Sequence, residues 1–351
     1  MRQSTSFAAI QLPPNFVWRS YLGGRELRRF RSGHSGEDDH FPEDWLASTT
    51  RARNGENAQG PNEGLSKVPM STGDVALPDV LRGDPERFWG IGAASMEDPG
   101  DTGVLVKLLD SSTRLHIQAH PDRAFVEKTF GGTAGKTECW YILDTRDEAY
   151  VYLGFQHAPS RAEWKRIIEE QDLDAMLGCF DRIPARPGDC FVVPAGTPHA
   201  IGEGILMVEL QEPTDWVVRC EFEVGGHVLP HAARYMGLQL DDILDIFDYT
   251  AYSQEAVRDT FFQSPRERVK GEAHVEEQII SPRYRDFFRL RRLRGQGAAS
   301  WEGAEFAILI VVKGEGTLSD GTTGQPVHAG ETWLLPAVVD SWHWQNAAND
   351  W

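Results

Sequence analysis

The sequence predicts a mainly β protein, built as two similar β-domains with a few accessory helices. From Val104 onward short apolar runs alternate with turn residues, the pattern of strands joined by tight connections. A nine-residue unit also recurs: Pro187-Gly-Asp-Cys-Phe-Val-Val-Pro-Ala195 matches Ala329-Gly-Glu-Thr-Trp-Leu-Leu-Pro-Ala337. Each copy has a glycine, an acid, a spacer, three apolar residues and Pro-Ala, and self-similarity of this kind marks a duplicated supersecondary unit. The length of 351 residues suits two or three domain-sized units.

Residues 31–64 are rich in Gly, Asn, Asp, Glu and Ser and contain a Gly60-Pro61 break, which predicts loops over short elements. Strands begin at Val104. Arg161 to Met176 carries Trp164, Ile167, Ile168 and Leu173 at helical spacing and predicts one inserted helix. Residues 184–222 return to short strands. His231 to Tyr249 reads as helical, with Leu238, Leu240, Ile243, Leu244 and Ile246 as its apolar part. Residues 252–282 are polar and read as a connector, and from Tyr284 the chain is again strand-like, with a turn at Ser319-Asp-Gly-Thr-Thr-Gly324. The expected division is 1–230 (first β-domain with an N-terminal extension and the inserted helix), 231–275 (helical connector) and 276–351 (second β-domain).

Composition excludes several function classes. Thirty-five basic against 53 acidic residues leave a net charge of -18, so nucleic acid and anionic membranes are poor partners. The longest apolar run, Phe306 to Val312, is far too short to span a bilayer. Met1 to Ser6 leads into no apolar leader segment. The four cysteines (Cys139, Cys179, Cys190, Cys220) include no CxxC pair, which argues against a disulfide framework and a thiolate zinc site. A reduced, soluble, cytoplasmic protein is expected. Lysine is scarce, with seven in the chain, so a lysine inside a motif carries more information than usual.

The chemistry concentrates in three segments. Leu115-His-Ile-Gln-Ala-His120 alternates strictly, so His116, Gln118 and His120 share one strand face. Three polar groups on one face need partners unless the face lines a polar cavity; a solvent-facing edge strand is the plain alternative. Gly131-Gly-Thr-Ala-Gly-Lys136-Thr-Glu138 feeds a glycine loop into a strand that puts Lys136 and Glu138 on one face. It is no phosphate-binding P-loop, because Phe130 stands where the first glycine would be. The first repeat copy runs on through Pro194-Ala-Gly-Thr-Pro to His199, where the second copy has Ser341. Gln118, His120, Glu138 and His199 together offer an amide oxygen, a carboxylate and two imidazoles, a mixed set suited to a borderline divalent ion with an open position. Downstream, alternation puts Met207, Glu209 and Gln211 on one face and Val217 and Arg219 on another. Glu209 and Arg219 are candidates for the same cavity, their plain alternative being surface charges on half-exposed strands.

These motifs resemble type I mannose-6-phosphate isomerase (phosphomannose isomerase), a zinc-dependent cupin family, in its short bacterial form. The family pattern L-S-I-Q-x-H-P-D is similar to Leu115-His-Ile-Gln-Ala-His-Pro-Asp122, G-K-[TP]-E-x-W-Y to Gly135-Lys-Thr-Glu-Cys-Trp-Tyr141, and P-A-G-x-x-H-A to Pro194-Ala-Gly-Thr-Pro-His-Ala200. The glutamate ten residues before a catalytic arginine resembles Glu209 and Arg219, and the aspartate four before it Asp215. The match covers residues 100–225 closely. Leu22-Gly-Gly-Arg-Glu-Leu27 and Pro42-Glu-Asp-Trp45 resemble the family's opening. The resemblance implies two cupin (jelly-roll β-barrel) domains, the second metal-free, and one Zn2+ per chain held by Gln118, His120, Glu138 and His199. It implies Arg219, Lys136 and Glu209 as catalytic residues for the interconversion of mannose 6-phosphate and fructose 6-phosphate through a cis-enediol(ate), with Lys136 and Glu209 both open as the base. The implied partner is a small sugar phosphate, and the chain a monomer or homodimer. Two departures stand out. His116 replaces the serine that helps hold phosphate in the family, which leaves Arg114 or Arg123 as anchors, or a different substrate. Asp-Trp-Val-Val-Arg-Cys replaces the tyrosine-bearing Asp-x-x-Tyr-Arg-x-Tyr. A non-catalytic sugar-binding cupin, or an isomerase for another sugar, are the alternatives.

Overall fold

The computed structural model describes residues 7–271 and 273–347; residues 1–6, where a leader would begin, lie outside them. The chain runs β1 (Ile10–Leu12), β2 (Phe16–Val17), α1 (Arg25–Ser32), β3 (Glu43–Leu46), β4 (Lys67–Met70), β5 (Gly73–Ala76), α2 (Leu77–Gly83), α3 (Pro85–Trp89), β6 (Leu105–Ser111), β7 (Gln118–Ala119), α4 (Arg123–Phe130), β8 (Glu138–Thr145) and β9 (Tyr150–Leu153). It continues with α5 (Arg161–Glu170), α6 (Leu173–Leu177), β10 (Ile183–Pro184), β11 (Cys190–Val193), β12 (His199–Ile201), β13 (Ile205–Gln211), β14 (Val218–Arg219), β15 (Glu223–Val224) and β16 (His227–Val228). Beyond lie α7 (Leu240–Ile243), α8 (Gln254–Phe261), β17 (Arg266–Lys270), β18 (His274–Gln278), β19 (Arg291–Gly295), β20 (Ala298–Glu302), β21 (Ala307–Ile310), β22 (Glu315–Ser319), β23 (Gly324–His328), β24 (Thr332–Leu335) and β25 (Ser341–Asn346).

The first barrel joins a six-stranded sheet, β11-β8-β13-β6-β3-β2, to a five-stranded one, β10-β9-β12-β7-β14. Trp140, Phe191 and Met207 from the larger sheet pack against Val151, Leu153 and Ile201 from the smaller. The inward-facing alternate residues of both sheets thus make one core. Helices α5 and α6 cover the outer face of the smaller sheet through Trp164, Ile167, Ile168 and Met176. The outer face of the larger sheet is covered too, by Ile279, Ile280 and Phe288 against Leu108, Cys190, Val192 and Val208. This double cover explains why β6 and β13 are buried along their whole length. A charged residue in such a strand is enclosed on every side.

The second β unit combines the sheets β20-β25-β22-β23 and β1-β24-β21 around Leu318, Val327, Trp333, Trp342 and Trp344. The repeated sequence unit forms equivalent strands, β11 and β24, each fully buried. Each follows a glycine at positive φ, Gly188 at 91° and Gly330 at 87°, where a side chain is strained. One strand crosses between units: β1 pairs with β24, Ile10 opposite Leu334. We propose the division near residues 230 and 276, with β1 crossing it.

Three elements differ from the sequence expectation. The single helix over Arg161–Met176 is two, because Gln171 adopts a left-handed φ of 50° and its carboxamide bridges Cys220 O at 2.8 Å and Phe222 N at 2.8 Å. Asp172 then caps α6 through Ala175 N. The stretch His231–Tyr249 holds only short helical turns, interrupted by positive φ at Met236 and Gly237. The connector over 252–282 contains α8, β17 and β18; its polar composition reflects β17, which is exposed at every residue and so on both faces.

Candidate active site

His120, Glu138 and His199 converge from three parts of the first barrel, with ligand atoms within 4.8 Å of one another and all three buried. The pleat brings them together. Glu138 opens β8, His199 opens β12, and His120 follows β7, whose Gln118 is opposite His199. Each imidazole is oriented from behind. His120 Nδ1–H donates to Trp216 O at 2.9 Å and His199 Nδ1–H to Thr197 O at 2.8 Å. A carbonyl only accepts, so each Nδ1 carries the proton and each Nε2 presents a lone pair. Burial, with the Lys136 charge next, lowers the His120 pKa to about 3, and burial lowers that of His199. Burial alone would raise Glu138, but the Lys136 charge and the two histidines hold it well below the usual carboxylate range. Two neutral imidazoles and a carboxylate are the protonation states that bind a divalent cation. The Gln118 carboxamide lies 3.3 Å from His199 Nε2, and turning it over presents its oxygen there. The donor set fits a zinc-type ion.

Around this group lies a polar pocket lined by Arg19, Tyr21, Glu43, Lys107, His116, Gln118, His120, Lys136, Glu209, Asp215 and Arg219 among others. Lys136 Nζ donates to His120 Nε2 and Glu138 Oε2, both at 2.8 Å. Glu209, 3% exposed, meets Lys107 Nζ at 2.6 Å through Oε2. Burial raises the Glu209 pKa, against the pull of Lys107. Glu43 accepts from Arg19 Nε at 2.8 Å, Tyr21 Oη at 2.7 Å and Trp45 Nε1 at 2.7 Å. Arg19 also reaches Asp215 at 3.3 Å. Arg219 is half-buried and donates to the Ala233 carbonyl at 2.9 Å. Burial lowers its pKa to about 10, opposed by Asp215, so it keeps its charge at neutral pH.

The predicted residues thus fall as follows. Gln118, His120, Glu138 and His199 form one cluster, and Lys136, Glu209 and Arg219 border the same pocket. His116, Gln118 and His120 all line the pocket, as the alternation required, and Val217 joins Arg219 there. His116 is buried and neutral, its pKa lowered to about 3 by burial and then by the Arg219 charge. Its Nδ1–H donates to Glu221 O at 3.0 Å, and its Nε2 accepts from Ser20 Oγ at 3.2 Å. Of the two alternative phosphate anchors, Arg114 makes a bidentate pair with Glu221 and Arg123 pairs with Glu212, and neither lines the pocket. Sequence reasoning missed Arg19, Tyr21, Glu43 and Lys107. For Lys107 a signal existed: it is one of seven lysines and stands alone in the apolar run Leu105-Val-Lys-Leu-Leu109.

No family model matches the chain. A probable mannose-6-phosphate isomerase of Bacillus subtilis, GmuF, is 29% identical over 334 residues, 92% of this chain and 91% of that protein. The chain is a homologue of the mannose-6-phosphate isomerases. The crystal structure of the mannose 6-phosphate isomerase from Bacillus subtilis superposes with a TM-score of 0.73 at 23% identity, covering 97% of this chain and 98% of that one. A zinc-bound mannose 6-phosphate isomerase structure superposes at 0.69 and 15% identity, over 98% of each chain. The mainly β, two-barrel cupin architecture is therefore that of these isomerases. Among the described residues no helix is long and apolar enough to cross a membrane.

Proposed function

We propose that this chain is a zinc-dependent aldose–ketose isomerase that interconverts mannose 6-phosphate and fructose 6-phosphate by moving a proton between C2 and C1. The observation that carries the reading is the buried His120–Glu138–His199 group, whose His120 lines a pocket together with Lys136, Glu209 and Arg219. Both histidines are locked with Nε2 facing inward, an arrangement that serves a metal and little else. Gln118, His120, Glu138 and His199 hold the ion. Bound there, zinc supplies a Lewis acid for the sugar's carbonyl and hydroxyl oxygens.

The chain's own groups do the rest. Arg219, which no carboxylate among the described residues engages directly, places fixed positive charge where the enediolate develops its negative charge. Glu209 is the proton carrier: Lys107 occupies Oε2, and among the described residues no hydrogen bond holds Oε1. It takes the C2 proton at Oε1 and returns it to C1, the electron pair staying in the enediolate between the two transfers, while the O2 hydroxyl proton passes to O1 so that the carbonyl ends at C2. Lys136 donates to Glu138 Oε2, so it orients that carboxylate and adds charge at the sugar's edge; its bond to His120 Nε2 would give way to the ion, which takes the same lone pair. The enclosing barrel keeps water from the intermediate. We place the enzyme in the cytoplasm, where its four free cysteines stay reduced, acting as a monomer or homodimer on a small sugar phosphate.

The test is an isomerase assay on mannose 6-phosphate, other hexose phosphates and free mannose, after chelation and after zinc is restored. Turnover of mannose 6-phosphate that falls with chelator and returns with zinc is the expected result. A protein that binds the sugar phosphate without turning it over overturns the assignment.

A further inference from the structure

Lys107 faces Glu209 directly across the β6–β13 pairing and is 3% exposed. Its Nζ lies 2.6 Å from Glu209 Oε2 and 3.6 Å from Glu43 Oε2. The two carboxylates are unequal in need. Glu43 already accepts from Arg19, Tyr21 and Trp45, whereas Lys107 is the one cation in contact with Glu209 among the described residues. A carboxylate sealed between two covered faces of a sheet and left alone becomes protonated or turns towards another cation.

We propose that Lys107 is a positioning residue that grips Glu209 by Oε2 and leaves Oε1 to exchange the substrate proton. This rests on the reading of Glu209 as proton carrier. The other charges facing Glu209 are Glu138 of β8 and Glu43 of β3, which favour its protonation, and Lys136, which opposes it. Two carboxylates against one committed lysine leave Lys107 as the deciding charge. In the proton step the C2–H bond breaks, the proton forms a bond to Glu209 Oε1 and the electron pair remains on the sugar. Glu209 then gives the proton to C1 as the O2 hydroxyl proton passes to O1, which leaves the carbonyl at C2. A Glu209 already protonated when the aldose binds cannot take the C2 proton.

The experiment compares Lys107→Met, Lys107→Arg and Glu209→Gln as zinc-loaded, full-length enzymes, reading zinc content and the pH profile of kcat/KM. In Lys107→Met the acid limb is expected to move up by a pH unit or more, about a tenfold loss at the acid end that alkaline pH restores. Lys107→Arg keeps the limb in place. An unmoved limb in Lys107→Met, with zinc content normal and Glu209→Gln inactive, overturns the role of Lys107 alone. Wild-type turnover in Glu209→Gln overturns the reading of Glu209 itself. Should Lys107→Met not fold, infrared difference spectra of wild type against Glu209→Gln decide. An ionised Glu209 at neutral pH is expected, and a protonated carboxyl band overturns the proposal.

Discussion

Replacing Arg219 by alanine separates charge stabilisation from metal binding. Among the described residues the guanidinium has one hydrogen bond, to the Ala233 carbonyl, and none to a metal-binding donor, so zinc content should not change. A unit charge in contact with the developing oxyanion is worth about 4 kcal/mol at an effective dielectric near 20. Arg219 is only partly exposed, and solvent screening brings this towards about 2 kcal/mol. The expected fall in kcat is therefore roughly 30-fold to 1,000-fold. Losing the bond to Ala233 O should cost only about 1 kcal/mol of stability, leaving the protein folded. The assay is steady-state turnover of mannose 6-phosphate beside zinc analysis of the same sample, with Arg219→Lys expected to recover part of the loss. Normal turnover in Arg219→Ala, or zinc lost in parallel with activity, refutes the reasoning.

Other perturbations give distinct outcomes. His199→Ala should lose zinc and turnover together, read by elemental analysis and assay, because one of two inward-facing imidazoles is gone. The metal-stripped protein should weaken steeply as pH falls below about 6.5: His116 and His120 have folded pKa values of about 3, so the unfolded chain binds more protons throughout that window. Each contributes about 1.4 kcal/mol per pH unit, and a flat urea midpoint between pH 6.5 and 4.5 contradicts this. Trp164→Ala should cost about 3–5 kcal/mol in urea unfolding, since the ring is fully buried against Phe155 and Phe247. The two repeat glycines should differ. A Cβ on Gly188 meets nothing, whereas one on Gly330 comes within 2.2 Å of Phe30 O, so Gly330→Ala should destabilise the protein more than Gly188→Ala when thermal midpoints are compared.

Much of the site was legible because strand alternation is a rigid rule. Once 115–120 reads as extended, His116, Gln118 and His120 must share a face, and all three line the pocket. The repeat was legible because a positive-φ glycine followed by a buried strand leaves a stiff local signature. Arg19, Tyr21 and Glu43 were not legible, because they reach the pocket through β3–β6 pairing and a long buried ion-pair network, both set by tertiary packing. The helix break at Gln171 escaped for the same reason: its cause is a side chain bonded to the segment between β14 and β15, some fifty positions away. Asp215, matched by its distance from Arg219, bonds Arg19 and the Arg53 backbone, so spacing found the residue and not its partner.

The β1–β24 pairing carries a consequence for biosynthesis. A strand near the amino end, Ile10–Leu12, docks beside Thr332–Leu335, which leaves the ribosome long after it. Until then β1 has no mate, and β24 emerges to find its neighbour waiting. Closure of this sheet is thus a late event of high contact order, slow by nature. A fragment starting at residue 276 would lack one edge of its own sheet, and would expose to other chains the hydrogen-bonding groups that β1 covers.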